Sequence, residues 1–289
     1  MAKEQDIKFS EEQLVSLYGL LFKIAYVDGE LDKDELRRIF EMINTEDFSE
    51  RGKQKVQNYL VEEPEVEEII AKIKVDIEEM KYIAYLNCIE ISICNDEVNG
   101  LQQEVLIRLK NEFHITNEQD KEMRKFAQTA KDIAERGIDD EYAKDTLKSG
   151  AAGLGAVGVP IAAVYFSGSV IGLSAAGITS GLAAVGLGFG MIPGIGVAIL
   201  VGSVIFIALT KIFDVGGKRK KKKAQLEKER RAEQVIRNLQ ETINYLFEKI
   251  LVLEEKAKDA EANKEAIKKL QDVVQKLKQI QNAKKKVAV

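Results

Sequence analysis

Several residue types are rare or absent in this chain of 289 residues. It has no tryptophan, three prolines, two cysteines and one histidine. Scarce proline and the lack of alternating strand-like patterns predict an all-α protein. Cys88 and Cys94 are six positions apart and so point from different faces of a helix. They suit a reducing compartment and unpaired, buried roles, with no metal-ligand spacing.

Catalytic signatures are also missing. There is no nucleophile–base set and no zinc ligand cluster, and the glycine repeats follow no strand, as a phosphate loop would require. His114 stands alone between Phe113 and Ile115 and is expected at an interhelical turn, not as a base. The amino terminus is polar and lacks the apolar core of a secretion signal. We therefore expect neither an enzyme nor an exported protein.

Charge is absent from residues 149–210, sixty-two positions in a chain that is 31% charged overall. One membrane crossing needs about 20 apolar residues, so two crossings and a turn fit. This pattern predicts a membrane hairpin with helices at 154–173 and 182–209. The alternative is a hairpin buried inside a soluble helical protein, as in pore-forming toxins before they insert.

Glycine is concentrated in this apolar stretch, which holds fourteen of the twenty-one glycines. Glycines four positions apart let helices approach closely in lipid. The predicted helix-packing positions are Gly168, Gly172, Gly177, Gly181, Gly186, Gly190 and Gly194. Alanine and glycine weaken the first half, so its insertion is expected to be marginal or conditional.

The net charge of −4 hides two opposed ends. Residues 1–148 carry 35 acidic and 21 basic side chains, whereas residues 211–289 carry 12 acidic and 22 basic ones. The ends are therefore at −14 and +10, and either attract each other or form separate solvated surfaces. The chain divides into an acidic helical domain (1–148), the apolar hairpin (149–210), a polybasic segment (211–223) and a tail (224–289).

Capping signals predict the helices of the acidic domain. Ser10 and Gln13, Asp32 and Glu35, and Thr116 and Gln119 have the spacing of capping boxes. An acidic helix introduced by Pro64 is predicted to carry one apolar stripe. The stripe consists of Val66, Ile69, Ile70, Ile73, Ile77 and Met80. Further helices are expected over 82–94 and 101–113, giving six to eight short helices in this domain.

The sequence Ile-Ala-Tyr-Val-Asp-Gly-Glu-Leu-Asp at residues 24–32, followed by Glu35-Leu36, resembles the signature of TerB-like domains, the all-helical module named for tellurite resistance proteins. A degenerate second copy at 91–99 has Asp96 at the glycine position, and its downstream acid, Glu104, is two positions further along. The resemblance covers about residues 8–147. It implies two helix-turn-helix units and a binding or sensing module of stress response or defence.

A second, shorter resemblance concerns the hairpin. Residues 172–181, Gly-Leu-Ser-Ala-Ala-Gly-Ile-Thr-Ser-Gly, are similar to the glycine-rich repeats of small interferon-induced membrane proteins.

The acidic turn after the first helix is the one candidate ligand site. Asp28, Glu30, Asp32 and Glu35 offer hard oxygen ligands that could hold a divalent cation such as Ca²⁺. The spacing is not that of an EF-hand, because Lys33 occupies the glycine position. Helix capping alone explains Asp32 and Glu35 and is favoured over a cation site. Otherwise no cofactor is expected.

Six consecutive basic residues follow the apolar stretch: Lys218, Arg219, Lys220, Lys221, Lys222 and Lys223. Beside a membrane such a run attracts anionic lipid headgroups and marks the cytoplasmic side. No aromatic residues interleave with the lysines for base stacking, so a nucleic-acid partner is not expected. With the acidic domain also cytoplasmic, the number of crossings must be even.

The tail has a heptad seam at Leu239, Ile243, Leu246, Ile250 and Leu253. The phase slips near Asn263, so the helix either breaks into an antiparallel hairpin or carries a stammer. The seam predicts a homo-oligomer, with folding back on the acidic domain as the alternative.

Together these features predict a membrane-associated protein with both termini in the cytoplasm. It is either a scaffold or sensor that recruits a protein partner through its TerB-like domain, or a conditional pore-forming or membrane-remodelling effector that stays soluble until triggered.

Overall fold

The computed structural model describes residues 9–75, 78–94, 99–136, 149–150, 152–159, 218–256 and 261–288. These residues form nine helices and no strand, which confirms the all-α class. The helices are α1 (Glu11–Ala25), α2 (Lys33–Met42), α3 (Glu50–Asn58), α4 (Val66–Lys74), α5 (Glu78–Ser92), α6 (Gly100–Glu112), α7 (Asn117–Arg136), α8 (Lys218–Lys256) and α9 (Glu261–Ala288).

The predicted capping boxes are confirmed. The Ser10 hydroxyl accepts from the Gln13 amide while the Gln13 side chain accepts from the Ser10 amide, and Asp32 with Glu35 does the same at α2. Thr116 and Gln119 are paired in the same way before α7. His114 has a φ of 54° after α6 and therefore occupies a turn, as predicted.

The acidic helix is shorter than predicted. Its N-cap is Glu65, so Pro64 precedes the first turn, and the helix ends at Lys74. Met80 belongs instead to α5, which packs against α4. Two helices that pack on each other cannot be one continuous helix, so the chain must turn between them. Val75, at 87% exposure, lies at this break.

Helices α1 and α5 form the centre of the amino-terminal domain. Both are buried on most of their circumference and pack against each other, and the shorter helices cover them. Close packing in this centre depends on Gly19, where an added Cβ would lie 2.7 Å from Ile69 Cδ1 and 3.0 Å from the Tyr59 ring. A larger residue at Gly19 would therefore push α4 and Tyr59 away.

The carboxy-terminal helices α8 and α9 form a hairpin that packs along α2. Gln281 on α9 donates to Gln240 Oε1 (3.0 Å) and to the Ile236 carbonyl (3.3 Å) on α8. The alternative of a hairpin is thus the one that the structure adopts. Four of the seam residues, Leu239, Ile243, Leu246 and Ile250, are buried, and Leu253 is half-buried. These side chains, predicted to mediate self-association, are instead buried within one chain.

The start of the apolar stretch also differs from the prediction of a membrane helix beginning at residue 154. Residues 152–156 form a short helical turn, which ends at Gly158 with a φ of 78°. Leu154 and Val159 are buried in the core of the amino-terminal domain, and Gln119 donates to the Val157 carbonyl at 3.1 Å. Because these contacts belong to the domain, any membrane segment starts after residue 159.

The remainder of the apolar stretch, including all seven predicted helix-packing glycines, lies outside the described residues. The basic residues at 218–223 begin α8, but their side chains are outside the description as well. Within the described part of the chain, no helix combines the length and apolar character needed to span a bilayer.

Candidate functional site: two facing caps and a buried charged cluster

The amino-terminal domain contains a structural duplication. Helices α1, α2 and α3 begin at Glu11, Lys33 and Glu50, and α5, α6 and α7 begin 67 residues later at Glu78, Gly100 and Asn117. The caps follow the same offset, with Asp32 matched by Asn99 and Ser49 by Thr116. The helix starts and the caps of the two halves therefore repeat at one constant offset.

The two copies meet through equivalent caps. Glu35 and Gln102 are both the third residue of their helix, and Gln102 Nε2 donates to Glu35 Oε1 at 2.6 Å. Beside them, Asn99 Nδ2 donates to Asp28 Oδ2 at 3.3 Å. The counterpart of Glu35 is thus Gln102 and not Glu104, so the second copy carries an amide where the first carries an acid. The 67-residue offset, applied to Glu35, would have found it from the sequence.

Glu35 is a buried carboxylate at this junction, with 4% exposure. Burial raises the pKa of its carboxyl from the usual 4.5 to about 7. The hydrogen bonds from Gln102 and from the Asp32 amide oppose this rise in pKa, whereas the nearby Asp32 and Asp28 charges add to it. The junction between the copies therefore changes charge close to neutral pH.

Substituting Glu35 with glutamine is expected to remove a pH dependence of stability. Since the folded state holds the Glu35 proton more tightly, the free energy of unfolding falls as pH rises from about 4.5 to about 7. The stability of Glu35→Gln relative to wild type should therefore grow by about 3 kcal/mol over this interval. Urea unfolding at a series of pH values measures it, with exposed Glu30→Gln as control. A constant or shrinking difference would contradict the raised pKa.

Three of the four acids predicted to hold a cation accept hydrogen bonds within the domain. Asp32 caps α2, Glu35 accepts from Gln102 and the Asp32 amide, and Asp28 accepts from Glu30 N and Asn99. In the ranges that the structure describes, no group of three or more His, Cys, Asp or Glu side chains is arranged to hold a metal ion. Capping, the alternative for Asp32 and Glu35, is what these residues do.

A buried charged cluster joins the amino-terminal domain to the carboxy-terminal hairpin. Arg38 and Glu41 on α2, Glu90 on α5 and Lys284 on α9 are each at most 6% exposed. Arg38 donates to Glu90 Oε2, and its Nη1 lies 3.8 Å from Glu41 Oε2. Lys284 Nζ lies 2.6 Å from Glu41 Oε1. Two cations and two anions therefore form a neutral set sealed from water.

The cluster shifts the titration of its members. Burial lowers the pKa of Arg38, but the charges of Glu90 and Glu41 outweigh it, so the net shift is upward and Arg38 stays charged. Burial raises the pKa of Glu90 against the opposing effect of Arg38. Glu90 Oε1 and both side-chain polar atoms of Asn87, one turn earlier on α5, have no hydrogen-bond partner among the described residues. This part of the core is thus sensitive to any loss of a cation.

Sequence patterns gave no sign of this cluster, because charged residues at helical spacing are normally solvated.

Both cysteines are free thiols, and burial raises the pKa of each. At Cys94 the carboxylates of Glu35, Asp32 and Asp34 raise the pKa further. Neither thiol is therefore activated as a nucleophile.

The described residues define an all-helical protein in which a carboxy-terminal helical hairpin packs against a duplicated three-helix unit. Comparisons with protein-family models, with curated proteins and with solved structures gave no match.

Proposed function

We propose that this protein is a non-enzymatic, membrane-associated scaffold or sensor in which the TerB-like domain and the carboxy-terminal hairpin act as one cytoplasmic unit. The observation that carries the proposal is the packing of the two regions that flank the apolar stretch. Lys284 pairs with Glu41, Arg237 with Glu46 at 3.1 Å, and Lys276 donates to the Leu31 carbonyl at 2.8 Å.

This packing restricts the membrane topology. The chain leaves the amino-terminal domain after residue 159, and α8, which follows the apolar stretch, packs against α2 of the same domain. A membrane segment between these points must therefore enter and leave on one side. Residues 160–210 carry no charge and are long enough for two crossings of about 20 residues each. The basic run at 218–223 would meet anionic headgroups, at about 1 kcal/mol per residue.

The recruiting role rests on the TerB-like resemblance, which implies binding or sensing in stress response or defence. The duplicated unit supplies the surface for a protein partner. In this proposal the apolar membrane hairpin fixes that unit next to the bilayer.

One observation favours a second function, that of an effector that inserts on a trigger. Leu154 and Val159, the first part of the apolar stretch, are buried in the amino-terminal domain. A domain that already buries this part could bury more of the apolar stretch. Dissociation of the α8–α9 hairpin from the domain would then expose the stretch. Such a protein would permeabilise or remodel membranes only after activation.

Topology labelling tests the scaffold proposal. Single cysteines at the exposed positions Lys33 and Lys285, in a Cys88→Ala, Cys94→Ser background, are treated with an impermeant maleimide in sealed vesicles of one orientation. We expect the protein to stay in the membrane pellet after carbonate and salt washes. Both cysteines should react with the maleimide from the same side of the vesicle membrane. Labelling from opposite sides would contradict a single folded unit. Recovery as a soluble species that causes vesicle leakage would support the effector instead.

A further inference from the structure

An open groove of about 540 Å³ lies on the amino-terminal domain, away from the hairpin contacts with α2. One wall is a face of α6 made by Leu101, Glu104, Val105 and Arg108, which have the spacing of one helical stripe. The opposite wall comes from Lys23 of α1, from Val27 just after that helix and from residues 63–67, which lead into α4. Leu101 is 45% exposed, so the groove has an apolar surface that the described residues leave uncovered.

The rim of this groove is acidic. It has four glutamates and two basic residues. Lys23 pairs with Glu63, and Arg108 pairs with Glu67 at 2.7 Å. Glu65 and Glu104 make no ion pair with any described residue, so the groove retains two unbalanced negative charges beside apolar side chains.

The complementary chemistry is present elsewhere in the same sequence. Residues 211–223 read Lys-Ile-Phe-Asp-Val-Gly-Gly followed by six consecutive basic residues. The segment thus joins large apolar side chains to the strongest positive charge of the chain. We infer that the groove between α4 and α6 binds the polybasic segment 211–223 of a second copy of this chain.

The direction of α8 explains why the segment comes from another molecule. Along α8, Arg237 pairs with Glu46 and, further on, Tyr245 donates to Asn58. The helix therefore advances from the start of α3 towards its end, and the groove residues 63–67 come directly after that end in the sequence. The basic run at the beginning of α8 lies in the opposite direction, with about 33 Å of helix between residue 223 and Tyr245.

Such an interface is heterologous, because one copy contributes its groove and the other its basic segment. Such contacts close into a two-fold dimer when each copy places its segment in the other's groove, and otherwise form larger rings or open chains. The association does not require the membrane topology proposed above. It is expected to weaken as salt screens the charges.

Complementary charge reversals test the inference on the full chain in lipid-free detergent. The groove variant is Glu65→Lys with Glu104→Lys, and the segment variant is Lys220→Glu, Lys221→Glu and Lys222→Glu. By sedimentation velocity, each variant alone should associate about tenfold more weakly than wild type. Mixed together, they should form a discrete 1:1 complex, because the intact segment of the first can enter the intact groove of the second.

A direct binding measurement uses a fluorescent peptide with residues 211–223. The fluorescence anisotropy of the peptide should rise when the segment variant, whose groove is intact, is added. It should not rise when the groove variant is added. The matched control is Asp47→Lys with Glu118→Lys, two exposed acids outside the groove that give the same change in net charge. Equal peptide binding to the groove variant, no complex in the mixture, or a basic segment that engages only anionic lipid would overturn the inference.

Discussion

Lys284→Met is expected to lower the free energy that holds the α8–α9 hairpin on the amino-terminal domain by about 3–5 kcal/mol. The substitution removes the cation 2.6 Å from Glu41 and leaves a buried carboxylate whose remaining ion-pair partner, Arg38, is 3.8 Å away and shared with Glu90. An unpaired buried charge destabilises far more than the net stabilisation that the pair provides. Hydrogen exchange of the full chain, read at the amides of α9, measures this local opening.

The neighbouring Lys285→Met is the matched control, because Lys285 is exposed and makes no ion pair with a described residue. It should change the free energy of local opening, measured by hydrogen exchange at the α9 amides, by less than about 0.5 kcal/mol. Adding Glu41→Gln to Lys284→Met should recover much of the loss, since the orphaned charge is then gone. Similar exchange in both lysine variants would show that the cluster does not hold the hairpin.

Leu246→Ala should destabilise the hairpin by about 2–5 kcal/mol, because Leu246 is 0% exposed and its truncation leaves a cavity between the helices. The same substitution at Leu251, five residues further along α8 and 60% exposed, should cost little. Exchange of α8 and α9 amides in the two variants measures the difference.

The protein concentration distinguishes this packing from the predicted oligomer seam. If Leu246 packs within one chain, the loss in Leu246→Ala is the same at every concentration. If it packs between copies, the loss is absent at concentrations where both variants are monomers and grows to a plateau as association adds stability by mass action. A concentration-dependent loss would therefore restore the seam as an interface between chains.

Local capping signals found the starts of α1, α2 and α7, whereas the helix expected over 82–94 begins earlier, at Glu78. Ser10, Asp32 and Thr116 begin helices where the capping spacing predicts, because a cap is a contact within one turn of chain. The same local reasoning failed after Lys74, where α4 ends although the predicted apolar stripe continues to Met80, which belongs to α5. Periodicity shows which side chains are buried but not whether they are buried by one helix or by two.

Part of the site was also readable in advance. The sequence predicted a second copy of the first motif and placed its matching position at the next acid, Glu104, whereas the constant offset of the helix starts leads to Gln102. The sequence comparison looked for a second acidic residue. The equivalent position is instead the third residue of the helix, where a glutamine side chain completes the capping box as well as a glutamate does. The clustering of Arg38, Glu41, Glu90 and Lys284 depends on contacts between residues up to 243 positions apart and has no local signal.

By itself, the sequence determined the helical class, the caps, the opposed charges of the two ends and the uncharged stretch, since these follow from composition and from contacts within a few residues. Only the tertiary structure decided that the tail folds back on α2, that Leu154 and Val159 belong to the amino-terminal core, and that Glu35 faces Gln102. The reason is physical: an apolar stripe or a charged side chain can be satisfied by several partners. Which partner it meets depends on how distant helices pack around the α1–α5 centre.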